Sequence, residues 1–327
     1  MALRKAKFRH FSYFILPALL LLVIFVLYPT FNTIFLSFVD SEGNLSLSNY
    51  REVFSSRDIL DPRGLERGFP FGSLIHNLMW IAIHLPLTTL VGLFLAILLR
   101  DVKGGGIVKS IIFLGMVMPM IVGGIMIRFM FEENVGVVNL VLQTLGLEGK
   151  TWTAYPETAL FALIFGSVWL WTGFSMILYS AGLETIPNTY YEAAQIDGAS
   201  KFKMLLKITI PLLKPITVVV LTMTLLWELK VFDIVYIATM GGPGGSSNVL
   251  ALQMYLYGFR EWDFGKSAVV AVLITASTLL AAIPMMKSAE MRQNEKVKER
   301  DYSKNSHCLD YRPHMDSSAD GSSYDSH

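Results

Sequence analysis

Two helical faces in the apolar part of this chain mix aromatic, hydroxyl and acidic side chains at i, i+3, i+4, i+7 spacing. Ser167, Leu170, Trp171 and Phe174 form the first; Thr224, Trp227, Glu228 and Val231 form the second. Aromatic planes cover the C–H faces of a sugar ring, and polar side chains hydrogen-bond its hydroxyls. The same spacing also serves ordinary helix packing, with Trp near a bilayer interface. Glu228, Lys230 and Asp233 are charged residues inside one apolar stretch, a costly placement that marks a cavity or a partner. Lys230 and Asp233 lie three apart and can pair on one helix face, while Glu228 points elsewhere. His76 and His84 read as isolated packing or pore residues.

Groups that would cleave or transfer bonds are missing. Gly104-Gly105-Gly106 is followed by Ile107 and Val108, so Lys109 comes too late for a phosphate-cradling G-x-x-x-x-G-K-[ST] loop. Gly241 to Ser247 contains no lysine, and H-E-x-x-H, C-x-x-C and G-x-S-x-G are absent. The single cysteine, Cys308, excludes an intrachain disulfide and a cysteine-based metal site. The reading is a chain without catalysis, metal or cofactor of its own.

The elements that must position these faces are membrane spans. Of 327 residues, 53% are hydrophobic and only 16% charged, against roughly 25% charged in soluble domains. Six segments approach the ~20 apolar residues that cross a bilayer: Tyr13 to Phe38, Leu74 to Leu99, Ile107 to Met130, Ala159 to Leu183, Ile216 to Tyr236 and Ser267 to Met286. In lipid each must satisfy its own backbone hydrogen bonds, so each is predicted as a helix. The fold class is an all-α membrane protein. The first segment follows Arg4, Lys5, Lys7 and Arg9, but it is too long for a signal peptide and no small-residue cleavage site follows, so it is read as a retained helix. Residues 1–12 form a basic N-terminus and 13–290 the six-helix domain. The tail, 291–327, is too poor in apolar residues to fold alone.

Lysine and arginine near the helix ends orient the chain. The N-terminus, the second connection (Arg100, Lys103, Lys109), the fourth (Lys201, Lys203, Lys207, Lys214) and the C-terminal end are basic. The third connection carries Glu132, Glu133, Glu148 and Glu157. Both termini are expected in the cytoplasm of a multi-pass protein of the cell membrane. No Lys/Arg run suggests nucleic acid.

The fourth connection, about 188–215, has its own pattern. Glu192 to Gln195 favour helix, Gly198 permits a turn, and Lys201 to Ile210 read as a second short amphipathic stretch. Pro211 and Pro215 are expected to punctuate the start of the next span. Physically this is a compact knob beneath the membrane; an interfacial amphipathic anchor has the same composition. Glu192, Ala193, Ala194, Gly198, Ile208 and Pro211 fall at the spacing E-A-A-x3-G-x9-I-x-L-P, with Ile210 at the usual Leu. This resembles the coupling loop of ABC-importer permeases. After the fifth span, Phe232, Asp233, Tyr236, Gly241, Gly242 and Pro243 match F-D-x-I-Y-x-x-T-x-G-G-P, a pattern similar to that of carbohydrate-type permeases. Trp171, Gly182-Leu183, Ile186-Pro187 and Ile196-Asp197-Gly198-Ala199-Ser200 agree with the same family, and the resemblance covers most of residues 10 to 290. The chain lacks the extra N-terminal helices and large insertion of the maltose subunit.

The resemblance implies a type I importer permease fold with six transmembrane helices and a cytoplasmic coupling loop. It implies a second homologous permease subunit, a cytoplasmic ATPase dimer that binds ATP and Mg, and an extracytoplasmic solute-binding protein that delivers a sugar. Glu192 and its neighbours, with Asp197, would dock in a groove on the ATPase. The outer Gly241–Pro243 turn reads as an external turn on residues alone and as a contact for the binding protein by resemblance. The two aromatic faces would lie near the substrate path. A glycerol-phosphate-type permease and an ion-coupled transporter using Glu228 and Asp233 are the alternatives.

Overall fold

The computed structural model describes residues 13 and 15–283, without the side chains of Leu65 and Arg67. The N-terminus, residues 1–12, and the tail, 291–327, lie outside the described residues. Helices dominate. Among the described residues, five are long and apolar enough to cross a bilayer: α1 (Ile15–Ser37), α2 (Ser73–Leu98), α5 (Pro156–Glu184), α7 (Lys201–Glu228) and α10 (Phe264–Ile283). The bent pair α3 (Gly105–Val117) and α4 (Met120–Met130) counts as a sixth if taken as one span.

The helix α5 is the axis of the bundle. Its most apolar stretch is 61% buried, against 28% for α2 and 22% for α7 and α10. A helix apolar on all sides belongs in the centre. Pro156 at its first turn costs no hydrogen bond there, and Glu157 complements the positive end of the dipole. Small residues let its neighbours approach closely. A Cβ on Gly92 of α2 would collide with Ser175 and Met176 of α5, and one on Gly173 would sit 2.9 Å from the Phe113 Cα of α3. At the other extreme, no residue in the most apolar stretch of α1 is buried within this chain.

Two predicted spans are built differently. The third was expected to run unbroken from Ile107 to Met130; it bends by 102° between α3 and α4. Pro119 explains the break. It lacks an N–H and pushes the preceding residue out of the helical region, and Met118 is extended, with ψ 141°. The fifth was expected from Ile216 to Tyr236. Instead α7 starts at Lys201, so the stretch 201–210 is not a separate amphipathic helix but the first turns of the span. Pro211 and Pro215 lie inside it. A wide turn at Leu205–Thr209, where the Ile210 N–H reaches back to the Leu205 carbonyl, accommodates the missing donor of Pro211. At the other end α7 stops at Glu228, and the chain resumes as the short α8 (Asp233–Ala238). Lys230 and Asp233 therefore do not share a helix face, and no ion pair joins them. The sixth prediction, Ser267 to Met286, appears as α10 up to Ile283; Pro284 to Met286 lie outside the described residues.

Candidate functional site

The kink of the third span, α5, the end of α7 and α8 enclose a cavity of about 380 Å³. Met116 and Met120 face it from either side of the kink. Broken backbone at membrane depth is tolerated where it lines such a space. Four of the predicted pathway residues, Leu170, Trp171, Trp227 and Val231, form part of its wall. The Trp171 and Trp227 rings meet edge to face with centroids 6.1 Å apart. Phe174 supports Trp227 from 4.8 Å, also edge to face. Lys230, Phe232 and Asp233 complete the polar and aromatic rim. The cavity thus combines aromatic surface with one cation and one anion.

The other three predicted residues stand behind this wall. Ser167 is buried and its hydroxyl donates to the Ile164 carbonyl. Thr224 is fully buried. Glu228 is 1% exposed, and its Oε1 lies 2.7 Å from His84 Nδ1. His84 in turn sets its ring edge to face against Trp171, centroids 5.4 Å apart. His84 is thus not isolated, as its sequence surroundings suggest; its partner lies 144 positions away, a pairing no local pattern reveals. His76 is also engaged. Its Nε2 accepts the Phe71 N–H, so Nδ1 carries the proton and donates to the Asn248 carbonyl at 2.8 Å. Asn77 donates to the Glu228 carbonyl and accepts the Leu250 N–H. It thereby ties α2, α7 and α9 (Leu250–Tyr255) together next to the cavity.

Along α8, Phe232 and Tyr236 stack almost parallel, 15° between planes and 5.2 Å between centroids. Gly241 adopts φ +81°. The Ser247 hydroxyl donates to the Gly242 carbonyl at 2.7 Å and meets the Thr239 hydroxyl at 2.7 Å. The Gly241–Pro243 turn is therefore fixed, not slack. Nearby, backbone N–H groups of Asn134 and Val135 donate to Glu132 and hold its carboxyl below the usual glutamate range.

The loop between α5 and α7 carries α6 (Asn188–Ile196), none of whose residues is buried. Glu192 and Ala193 are exposed and Ala194 half-buried, followed by exposed Asp197. Gly198 then turns at φ +71° with open space around it, and the Ser200 hydroxyl accepts the Lys203 N–H to start α7. Ile208 is half-buried and Pro211 exposed on that helix. Ile196, 88% exposed, and Phe202, 69% exposed, leave an apolar surface beside Glu192. A residue that the motif did not flag holds the loop. The Tyr191 hydroxyl meets the Thr209 hydroxyl at 3.1 Å, and the Arg100 guanidinium lies 5.1 Å over its ring.

The profile of the binding-protein-dependent transport system inner membrane component family matches residues 88–286. The chain belongs to this family. It is an ABC-importer permease, a multi-pass inner-membrane subunit that is not itself an enzyme; ATP is bound by the ATPase of the complex. A probable ABC transporter permease protein of Pyrococcus horikoshii is 56% identical over 280 residues, covering 84% of this chain and 96% of that protein. The trehalose/maltose transport system permease protein of Thermococcus litoralis is 32% identical over 298 residues, covering 89% and 96%. A bacterial alginate ABC transporter, solved in complex with an alginate pentasaccharide-bound periplasmic protein, contains a chain that superposes with TM-score 0.71. That match has 20% identity and covers 89% of this chain and 96% of that one. The importer permease fold expected from the motifs is thus the one observed, and the permease works in a complex with a binding protein and an ATPase.

Proposed function

We propose that this permease carries a carbohydrate, and that the sugar passes the cavity between Trp171 and Trp227. The observation that carries the reading is that edge-to-face tryptophan pair in the wall of an otherwise uncharged-on-balance cavity. Aromatic faces recognise the C–H surfaces of sugars, and Lys230 and Asp233 offer a donor and an acceptor for hydroxyls. The relative named for trehalose and maltose supports the same class. A glycerol-phosphate substrate fits less well, because Asp233 offsets Lys230 and leaves no net positive charge for a phosphate.

In this reading the chain pairs with a second homologous permease and two copies of the ATPase, with both termini and the 188–215 loop in the cytoplasm. Glu192, Ala193, Ala194, Asp197, Gly198, Ile208 and Pro211 form the coupling element. Its exposed Ile196 and Phe202 offer apolar contact to the ATPase, and Glu192 offers charge. ATP-driven closure of the ATPases draws the coupling elements together and opens the path outward; hydrolysis resets it. The Gly241–Pro243 turn contacts the binding protein.

Uptake by the complete importer in ATP-loaded vesicles tests this. Labelled sugars should accumulate in a vanadate-sensitive, ionophore-resistant manner. Accumulation of glycerol phosphate and of no sugar would overturn the carbohydrate assignment.

A further inference from the structure

A second cavity, of about 500 Å³, lies at the far end of the α4–α8 pair. The first cavity takes Met120 and Asp233, the opening residues of α4 and α8. The second takes Arg128, in the last turn of α4, and Tyr236 to Ala238, at the end of α8. One packed pair of helices thus has a cavity at each end. Half of the lining of the second is polar and carries both charges, from Thr151, Thr153, Thr239, Arg128, Glu132 and Tyr236; the other half is apolar or glycine. Glu132 remains an anion near neutral pH, since its carboxyl is held low by two backbone donors. Arg128 has no ion pair among the described residues.

An aromatic stack joins the two spaces. Phe232 lines the first, Tyr236 lines the second, and the two rings are nearly parallel. Donors, acceptors and an aromatic plane are what a sugar needs, and the balance of Arg128 against Glu132 does not favour a free anion. The six residues of α8 rise about 9 Å at 1.5 Å per residue. A disaccharide seated between the tryptophans stays in the first cavity, with the length of α8 between it and the second; a longer chain of rings reaches both.

Building on the carbohydrate reading above, we infer that the second cavity is an outer sugar subsite and that the substrate is an oligosaccharide spanning it and the Trp171–Trp227 cavity. Arg128, Tyr236 and the threonines hold the outer end of the sugar while its inner end enters between the tryptophans.

The complete importer in vesicles, with its binding protein saturated, is the system to use, so that maximal uptake rate reports the permease. The probes are matched pairs: maltose with maltotetraose, cellobiose with cellotetraose, xylobiose with xylotetraose. In Arg128→Gln and Tyr236→Ala, the maximal rate for the transported tetrasaccharide should fall about tenfold, the worth of one charge-assisted hydrogen bond or aromatic contact. The disaccharide rate should stay within about twofold, a difference well under 1 kcal/mol. Tyr236→Phe keeps the ring and loses the hydroxyl, so it should retain more of the tetrasaccharide rate than Tyr236→Ala; co-purification of the other subunits checks assembly of each variant. Equal loss for both lengths, together with lost stimulation of ATPase by the binding protein, would mean that the cavity receives the binding protein and would overturn the subsite. So would an absence of any effect. Transport of disaccharides but of no tetrasaccharide overturns the subsite and leaves the carbohydrate reading standing; transport of no sugar overturns both.

Discussion

His84 of α2 and Glu228 at the end of α7 meet inside the bundle at 2.7 Å, both side chains shut off from solvent. The contact pins the end of α7 against α2 directly behind Trp171. Glu228→Leu leaves the His84 ring nitrogen without its partner and should cost about 1–3 kcal/mol, the penalty for an orphaned buried polar group. Glu228→Gln keeps an acceptor and should cost less. His84→Phe combined with Glu228→Leu removes both groups and should recover part of the loss. Thermal unfolding of the purified importer checks this ranking. A Glu228→Leu protein as stable as the original would mean that the contact contributes nothing.

Gly198 needs its conformation, not space: φ is +71°, and a side chain there would meet no neighbour within 4 Å of its Cβ. Gly198→Ala should therefore cost about 1 kcal/mol through the backbone alone, and Gly198→Asn less. Because the turn sets the angle between α6 and α7, ATPase recovered with the tagged permease should fall in the same order. Unchanged recovery in both variants would separate the turn from coupling.

Tyr191 fastens the loop between α5 and α7 through the Thr209 hydroxyl and the Arg100 guanidinium. Tyr191→Phe removes the first contact and retains the ring beneath Arg100; Tyr191→Leu removes both. Each contact is worth about 0.5–1.5 kcal/mol. We expect bound ATPase to be retained in both, with the ratio of sugar carried to ATP hydrolysed falling further in Tyr191→Leu. An unchanged ratio in Tyr191→Leu would show that the loop transmits force without this anchor.

The Glu132 carboxyl is lowered by the N–H groups of Asn134 and Val135. A depressed carboxyl contributes stability that is present above the unfolded value and lost as pH falls through the folded one. The 131–136 turn should hold from neutral pH down to below the ordinary glutamate value near 4.3, and loosen only in stronger acid. Glu132→Gln should remove this dependence. Limited proteolysis of the loop across acid pH reads it, and equal cleavage of both proteins at every pH would contradict the assignment.

Much of this architecture is written locally. Apolar runs locate the spans, the Glu192–Pro211 spacing singles out the loop between α5 and α7, and Gly198 announces a turn that only its φ requires. The kink at Met118–Pro119 was legible too, since a proline inside a span is an explicit signal; hydropathy averaged over it. Pro211 misled in the other direction. It reads as a helix boundary, yet the wide turn at Leu205–Thr209 lets α7 run through it. What could not be read is pairing across the bundle. The stripe from Thr224 to Val231 divides between cavity and interior because α2 contributes His84, and the sequence of α7 alone does not say which flank α2 will cover. Arg128 and Tyr236 share a cavity only because α4 turns back at Pro119.

The central claim is that sugar passes between Trp171 and Trp227, driven by the ATPase. Maximal uptake rate by the complete importer, measured beside ATP hydrolysis, tests it most directly. Trp171→Ala and Trp227→Ala should each lower uptake by about tenfold or more, since loss of an aromatic contact is worth about 1.4 kcal/mol or more. Trp227→Phe should retain most of it, and binding-protein-stimulated ATP hydrolysis should persist in all three. Uptake undiminished in both alanine variants would show that the substrate takes another path and would contradict the account.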